Sequence, residues 1–538
     1  MTAKRILILG GGFGGAYTAM YLERRLRRRQ DCEIALVSRE NYLVFQPLLS
    51  ELVSASIGIV DTIAPLRRLC PRTHLYTREV EAIDLASRRV TLSPGFRPRP
   101  LVLEFDHLIL ALGNLTGTRN LPGVQQHAMP FKSLGDALHL RNHVIHVLEE
   151  AAIESDPELC AELTTFVVAG GGFSGVEVAA ELNDFIREIV RDYTRIDPAN
   201  VRVVLLHSRD RILPELNERL GVFAERVLRS RGVEIRYGRR LAGASGSAAL
   251  LDNGERVPAR TIVTTVPTIP NPLIGLLPVP RDHDRVVVNE MLAVPGHDGV
   301  WAVGDCAAVH DPASHDLVPT TAQHATREAR CVADNIVASI DGRPLTAFAF
   351  SGLGQLASLG RRSAVAQVLG VNVSGFLAWL LWRTVYLMKL PGLDRKLRVA
   401  TDWTLDLVLR QDIVQLKTDR TPSIGYEHFE PGEIILRQGE IGDKLYIIRT
   451  GEVEIFREPP GAAGPIAVLQ AGEYFGEMAL LTGEPRQASV RSKTRVDVLV
   501  VGRGDFHSLI ASFPELKRVF EQLAQGRQEG VPSAAQAQ

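Results

Sequence analysis

Arg5–Gly15 reads RILILGGGFGG, and this stretch decides the fold. A short apolar run enters three glycines at GxGxxG spacing, Gly10, Gly12 and Gly15, with Phe13 and Gly14 between the last two. AYTAMYLERRL follows, with the composition of a helix. Strand, glycine turn and helix in that order bring a pyrophosphate close to the backbone at a helix N-terminus. The next strand-like run, EIALVS, is expected to end in an acid that takes ribose hydroxyls. The chain has Ser38, Arg39 and Glu40 there instead. The basic run from Arg24 to Arg29 reads as the solvated face of the first helix.

Thr165–Glu177, TFVVAGGGFSGVE, repeats the pattern with Gly170, Gly172, Phe173 and Gly175. A helix-like VEVAAELNDF and a strand-like VRVVLLH come next. Two such turns imply two dinucleotide ligands, FAD and a nicotinamide nucleotide. A third element, Val300–Ala307 (VWAVGDCA), places Gly304 and Asp305 at a strand end, where a carboxylate can reach a flavin ribityl hydroxyl. Leu108–Asn114 (LILALGN) is a strand closing on a small-residue turn at Ala111 and Gly113.

The C-terminal part has a different grammar. Phe429–Phe456 alternates short β-branched runs with glycine turns, the pattern of a small antiparallel barrel. Phe475–Val490, FGEMALLTGEPRQASV, sets an acid, Glu477, upstream of a lone arginine, Arg486, among small residues. A planar guanidinium suits a phosphodiester, and backbone N–H groups beside Ala488 and Ser489 can complete the cradle. The region from about Tyr426 to Gln525 resembles the cyclic nucleotide-binding domains, on this cassette and on Gly432, Gly439, Gly442 and Gly451. That resemblance implies that Gly476, Glu477 and Ala479, with Met478 between them, face ribose and phosphate. It implies that Arg486, Gln487, Ala488 and Ser489 hold the phosphate, that the ligand is cAMP with cGMP as the alternative, and that lid helices follow Phe506.

Composition bounds the remainder. A chain of 538 residues holds two to four domains, and a net charge of −1 gives no pull toward nucleic acid. Cys32, Cys70, Cys160, Cys306 and Cys331 show neither CxxC nor metal spacing, so a reducing compartment and no metal site are expected. No signal segment fits before Arg5, and the tail VPSAAQAQ reads as disordered.

Residues 1 to about 415 resemble the type II NADH dehydrogenases (NADH:quinone oxidoreductases), two-dinucleotide-domain flavoproteins. The likeness rests on GGGFGG, Asn41–Leu49 (NYLVFQPLL), ALG at Ala111–Gly113, GGGFSGVE, GDCA and Val318–Ala325 (VPTTAQHA). It implies FAD pyrophosphate on the first glycine turn, Val80 by the adenine and Asp305 on the ribityl chain. Ala322 and Gln323 would sit by the isoalloxazine and quinone, and Glu177 near the nicotinamide. His324, next to Gln323, is a candidate proton relay. Where the family has an acid for the NADH ribose, this chain has His207, then Ser208 and Arg209. That set either admits the 2′-phosphate of NADPH or binds the NADH ribose through His207.

Ser363–Trp382 carries no charge but reads as strand and turn, followed by an amphipathic helix. Trp379, Trp382 and Tyr386 are expected as interfacial aromatics, with Arg383 and Lys389, on a membrane surface where quinone enters. The architecture expected is α/β: two Rossmann-like domains, amphipathic helices, then a small β-barrel or β-roll with flanking helices. The divisions are 1–120 with 290–345 for FAD, 121–289 for NAD(P)H, 346–420 for the membrane-associating part, 421–527 for the sensor and 528–538 for the tail. The function expected is a non-proton-pumping NAD(P)H:quinone oxidoreductase modulated by cyclic nucleotide, peripheral on the cytoplasmic side of a bacterial inner membrane. A soluble NAD(P)H:acceptor reductase with terminal helices building a homodimer, or a signalling flavoprotein, are the competing readings.

Overall fold

The computed structural model describes residues 3–94, 100–117, 121–265, 268–311, 316–350, 352–416, 424–457, 465–482, 484–503 and 506. The expected lid helices and C-terminal tail lie outside these residues. Five helices position the site: α1 (Phe13–Arg25), α2 (Phe173–Ile189), α3 (Ala322–Ile340), α4 (Phe376–Lys389) and α5 (Leu393–Leu405).

The first glycine turn belongs to a five-stranded parallel sheet. Its order is Val300–Ala302, His107–Leu110, Lys4–Leu9, Cys32–Ser38 and His74–Thr77. Ile6, Leu7, Ile8 and Leu9 are fully buried, as a central parallel strand covered on both faces requires. The edge strand Val300–Ala302 comes from far along the chain, so the first domain closes only after the second is made. The second sheet is also parallel, in the order Met129–Pro130, Thr261–Thr264, Thr165–Ala169, Arg202–His207 and Val233–Tyr237. Its core is continuous with residues of the FQPLL segment and with Trp379, Trp382 and Trp403 of the C-terminal helices.

A three-stranded antiparallel sheet, Gly354–Ser358, Ala364–Val368 and Val371–Gly375, occupies the uncharged stretch and leads into α4. Pro391 follows Leu390, the C-cap of α4, and has no N–H to continue the helix. The aromatics of this region differ from expectation. Trp379 and Trp382 are buried, and Tyr386 packs edge-on against Trp382 instead of facing outward. The Arg383 guanidinium lies 4.0 Å from the Trp379 ring and 4.8 Å from the Trp403 ring, so the stacking that holds it is internal. The exposed apolar face belongs to Phe376, Leu377, Leu380 and Met388, with Leu393 and Leu397 of α5. Among the described residues no helix is long and apolar enough to cross a membrane.

The C-terminal domain forms two four-stranded antiparallel sheets. Backbone pairing does not join them into one closed barrel among the described residues. Their shared core includes Tyr446, Phe475, Val490 and Val498.

Candidate functional site

Both glycine turns are set by backbone geometry. Gly10 and Gly170 take φ of +111° and +127°, where a side chain is strained. A Cβ on Gly15 or Gly175 would overlap the carbonyl oxygen of Gly10 or Gly170, which locks each helix onto its strand. Gly12 has no protein atom within 4 Å of a Cβ position, so that side of the turn is open to a ligand.

The strand ends differ from the acid that the fold normally supplies. Ser38 is buried, its hydroxyl packed beneath Gly11. Arg39 and Glu40 pass beyond it into a cleft shared with Thr77, Arg78 and Glu79, and Arg39 pairs with Glu79 at 3.6 Å. Val80, half-buried, begins the strand next to this cleft. In the second domain the His207 ring turns under its own loop, and its Nδ1 accepts the Gly171 N–H at 3.2 Å. The Nδ1 edge of His207 is thus committed to the protein, while Ser208 and Arg209 are exposed at the strand end. Burial lowers the His207 pKa, consistent with a neutral ring that accepts.

Asp305 sits in a turn after Val300–Ala302, beside Lys132 and Arg285. Burial raises its pKa against the pull of those two cations. The Gly304 N–H donates to Glu328 at 2.7 Å, and burial pushes that carboxyl up to about 7. Ala111 follows the strand His107–Leu110 at its carboxyl end, with Gly113 in the turn beyond it.

The two turns converge on one cavity of about 410 Å³. Phe13 and Phe173, at the same place in each turn, both line it, with Glu177, Ala322, Gln323 and Tyr386. The Gln323 amide donates to the Gly354 carbonyl at 3.1 Å and accepts the Leu353 N–H at 3.3 Å, which fixes its side chain at the wall. Glu177 accepts the Ser358 N–H at 3.0 Å, yet burial pushes its pKa up to about 8. His324 faces elsewhere. It is buried, its Nδ1 shares a hydrogen with the Thr321 hydroxyl at 2.7 Å, and its ring meets Phe350 edge-on. It borders a different cleft, so the position beside Gln323 does not place it at the cavity wall.

The segment expected to hold phosphate is folded inward. Arg486 is buried, and its guanidinium donates to the Gly476 carbonyl and, at 2.8 Å, to the Lys444 carbonyl. Glu477 and Ala479 are buried on the short helix Glu477–Thr482. The Ser489 hydroxyl accepts the Gln438 N–H at 2.9 Å. Met478 lies on the same helix, Gln487 is exposed and Ala488 half-buried. The expected open arginine is therefore held by main-chain acceptors. This domain docks on the second sheet's domain. The Glu433 carboxylate accepts hydrogen bonds from Ser245 (2.7 Å), Ser247 (2.8 Å) and Arg256 (2.7 Å). His127 meets the backbone of His428, with its Nε2 2.7 Å from the carbonyl oxygen.

Comparison with known proteins gives this geometry a family. Residues 4–329 match the pyridine nucleotide-disulphide oxidoreductase model, 353–411 the NDH2 C-terminal domain and 426–513 the cyclic nucleotide-binding domain. The demethylphylloquinone reductase NdbB of Synechocystis is 33% identical over 406 residues, covering 74% of this chain and 95% of its own. The type II NADH:quinone oxidoreductase Ndh of Mycobacterium tuberculosis is 30% identical over 417 residues, covering 74% of this chain and 87% of its own. The fold matches NDH2 of Plasmodium falciparum, solved with NADH, at a TM-score of 0.71 and 18% identity over 76% of this chain and 99% of that one. The chain belongs to the type II NADH:quinone oxidoreductases.

Several residues of this type II oxidoreductase site escaped sequence reading. Lys132 and Glu328 reach it from segments that carry no motif, brought in by long-range packing, and Tyr386, expected from sequence on a membrane surface, lines the cavity instead. Glu40 was visible as an acid, one residue past Arg39, and the cleft shows that it faces outward there.

Proposed function

We propose that the protein holds FAD on the first glycine turn and NADH or NADPH on the second, and reduces a membrane quinone. The residues fit the flavin: an open turn at Gly12, Ala111 and Gly113 at the strand end, and Asp305 beside Lys132 for the ribityl chain. When bound, that group supplies hydride acceptance and two-electron delivery. The chain's own part is alignment. Gln323 and Ala322 shape the wall, Phe13 and Phe173 exclude water, and Ser208 with Arg209 meet the nicotinamide nucleotide's ribose. The observation that carries the reading is the convergence of both turns on one cavity.

The apolar face of α4 and α5, Phe376, Leu377, Leu380 and Leu397, supports seating on a lipid surface. The sensor's dock on Ser245, Ser247 and Arg256 supports a cyclic nucleotide acting through the nicotinamide domain. The test is flavin-loaded protein assayed with NADH and NADPH against a short-chain quinone, with and without cAMP, and sedimented with lipid vesicles. Quinone turnover altered by cAMP supports the whole reading. Turnover indifferent to cAMP removes the regulatory part. Bound FAD without turnover favours a signalling flavoprotein.

A further inference from the structure

The basic run from Arg24 to Arg29 divides in the fold. Arg25 pairs with Asp334 of α3 at 2.8 Å, and Arg29 with Asp31 at 2.6 Å and with Asp341. Arg24 on α1, and Arg27 and Arg28 in the turn after it, are exposed and form no ion pair among the described residues. Arg67, Arg68 and Arg72 stand the same way on the helical turn Leu66–Leu69 and the loop beyond it. Arg72 donates to the Arg27 carbonyl at 2.8 Å, which sets the two groups side by side. Glu23 is the only acid of α1, and its carboxylate accepts the Arg72 N–H at 2.8 Å and the Thr73 hydroxyl at 2.7 Å. A chain of net charge −1 thus gathers these six guanidiniums on one surface.

That surface borders the exposed apolar face by two routes. Tyr17, Tyr21 and Arg24 follow at steps of four and three on one stripe of α1. Tyr17 and Tyr21 line the cavity of the glycine turns, together with Arg327 of α3 and Lys389 at the end of α4. Met388, beside Lys389, is 65% exposed. The second route is the segment that leads into Leu66–Leu69, which is pinned to α5. Glu51 accepts the Trp403 indole N–H at 2.6 Å, and Asp61 pairs with Arg395 at 3.2 Å. Val60, on that segment, is 52% exposed. Basic side chains therefore frame both the apolar face and the tyrosine end of the cavity.

We infer that this arginine collar is a binding surface for anionic phospholipid, and that it turns the tyrosine end of the cavity toward the bilayer. The inference rests on the membrane seating proposed above and adds the lipid class. An acidic protein would match the charge but not the apolar side chains that protrude beside it. A bilayer offers phosphate at its surface and hydrocarbon beneath, which matches both. A guanidinium takes a phosphodiester through two parallel N–H bonds and stays charged at every physiological pH. Zwitterionic lipid, with no net charge, gains little from the collar.

The experiment sediments the flavin-loaded full chain with vesicles of phosphatidylcholine, alone or mixed with phosphatidylglycerol, at low and high salt. A basic residue near an anionic surface contributes about fivefold to partitioning, so Arg24→Gln combined with Arg28→Gln should weaken binding to the mixed vesicles about 25-fold. Arg24→Lys combined with Arg28→Lys keeps the charge and should stay within about threefold of wild type. High salt should abolish the preference for mixed vesicles. Turnover of a water-soluble quinone should be unchanged in both variants, because neither residue lines the cavity. Wild type that binds both vesicles alike, or a glutamine variant that binds mixed vesicles as wild type does, would overturn the collar and leave the seating of α4 and α5. Wild type that sediments with neither vesicle would overturn the seating, and the collar with it. Salt-sensitive retention on polyglutamate, lost in the glutamine variant and without preference between the vesicles, would give the surface to an acidic protein and overturn the lipid assignment.

Discussion

The glycine turns and the cassette around Arg486, both proposed here to meet phosphate, are built from different parts. The turns use main-chain N–H groups, which cannot rotate away, and Gly12 stands open with no occupant needed to shape it. The cassette relies on one guanidinium, and Arg486 spends donors on the carbonyls of Gly476 and Lys444. A backbone site is pre-organised and suits a group that stays bound. A side-chain site can be satisfied internally, so its ligand must exchange bonds to bind. That exchange is what makes a site switchable.

The sharpest way to break this contrast is Gly15→Ala. Its Cβ meets the Gly10 carbonyl, so the purified protein should lose flavin entirely, read as absent visible absorbance after gel filtration. Gly12→Ala is the control, because nothing in the protein opposes the methyl. It should change stability by no more than about 0.5 kcal/mol, and a normal flavin content would show that this side of the turn does not meet the ligand. Next comes Arg486→Ala. If the arginine is structural in the free state, the variant loses about 1–3 kcal/mol of stability without nucleotide, because buried carbonyls lose their donor. Unchanged calorimetry in the absence of ligand would refute the inward fold.

A smaller effect concerns pH. Glu328 is protonated up to about 7 when folded, against an ordinary 4.5. Between those values the folded state holds a proton that the unfolded chain releases, so stability falls as pH rises. Glu328→Gln should flatten the decline of melting temperature between pH 5 and about 7 by one proton's slope, ~1.4 kcal/mol per pH unit. The smallest expected effect is Arg209→Ala, which should lower the NADPH-to-NADH ratio of kcat/KM by about tenfold or less.

The turns were legible in the sequence because their requirement is local: a backbone that must approach a phosphate needs glycine at fixed spacing. The rest depended on long-range packing. Helix α4 is apolar on two faces, so its periodicity cannot say whether Trp382 or Phe376 meets the core. Sequence reads Arg486 as a phosphate ligand, whereas its partners in the fold are carbonyls, which carry no sequence signature. His324 was singled out by adjacency to Gln323, yet neighbours on a helix point about 100° apart.

The Trp403 to Glu51 hydrogen bond joins residues 352 positions apart. At ~5–20 residues per second of synthesis, Glu51 waits on the order of 20–70 s for its partner to be made. During that interval Glu51 lacks the indole that caps it, and the FQPLL segment lacks the C-terminal helices that complete its core. Ribosome pausing and chaperone occupancy between those two points should therefore govern the yield of this protein in a cell more than the stability of its finished form.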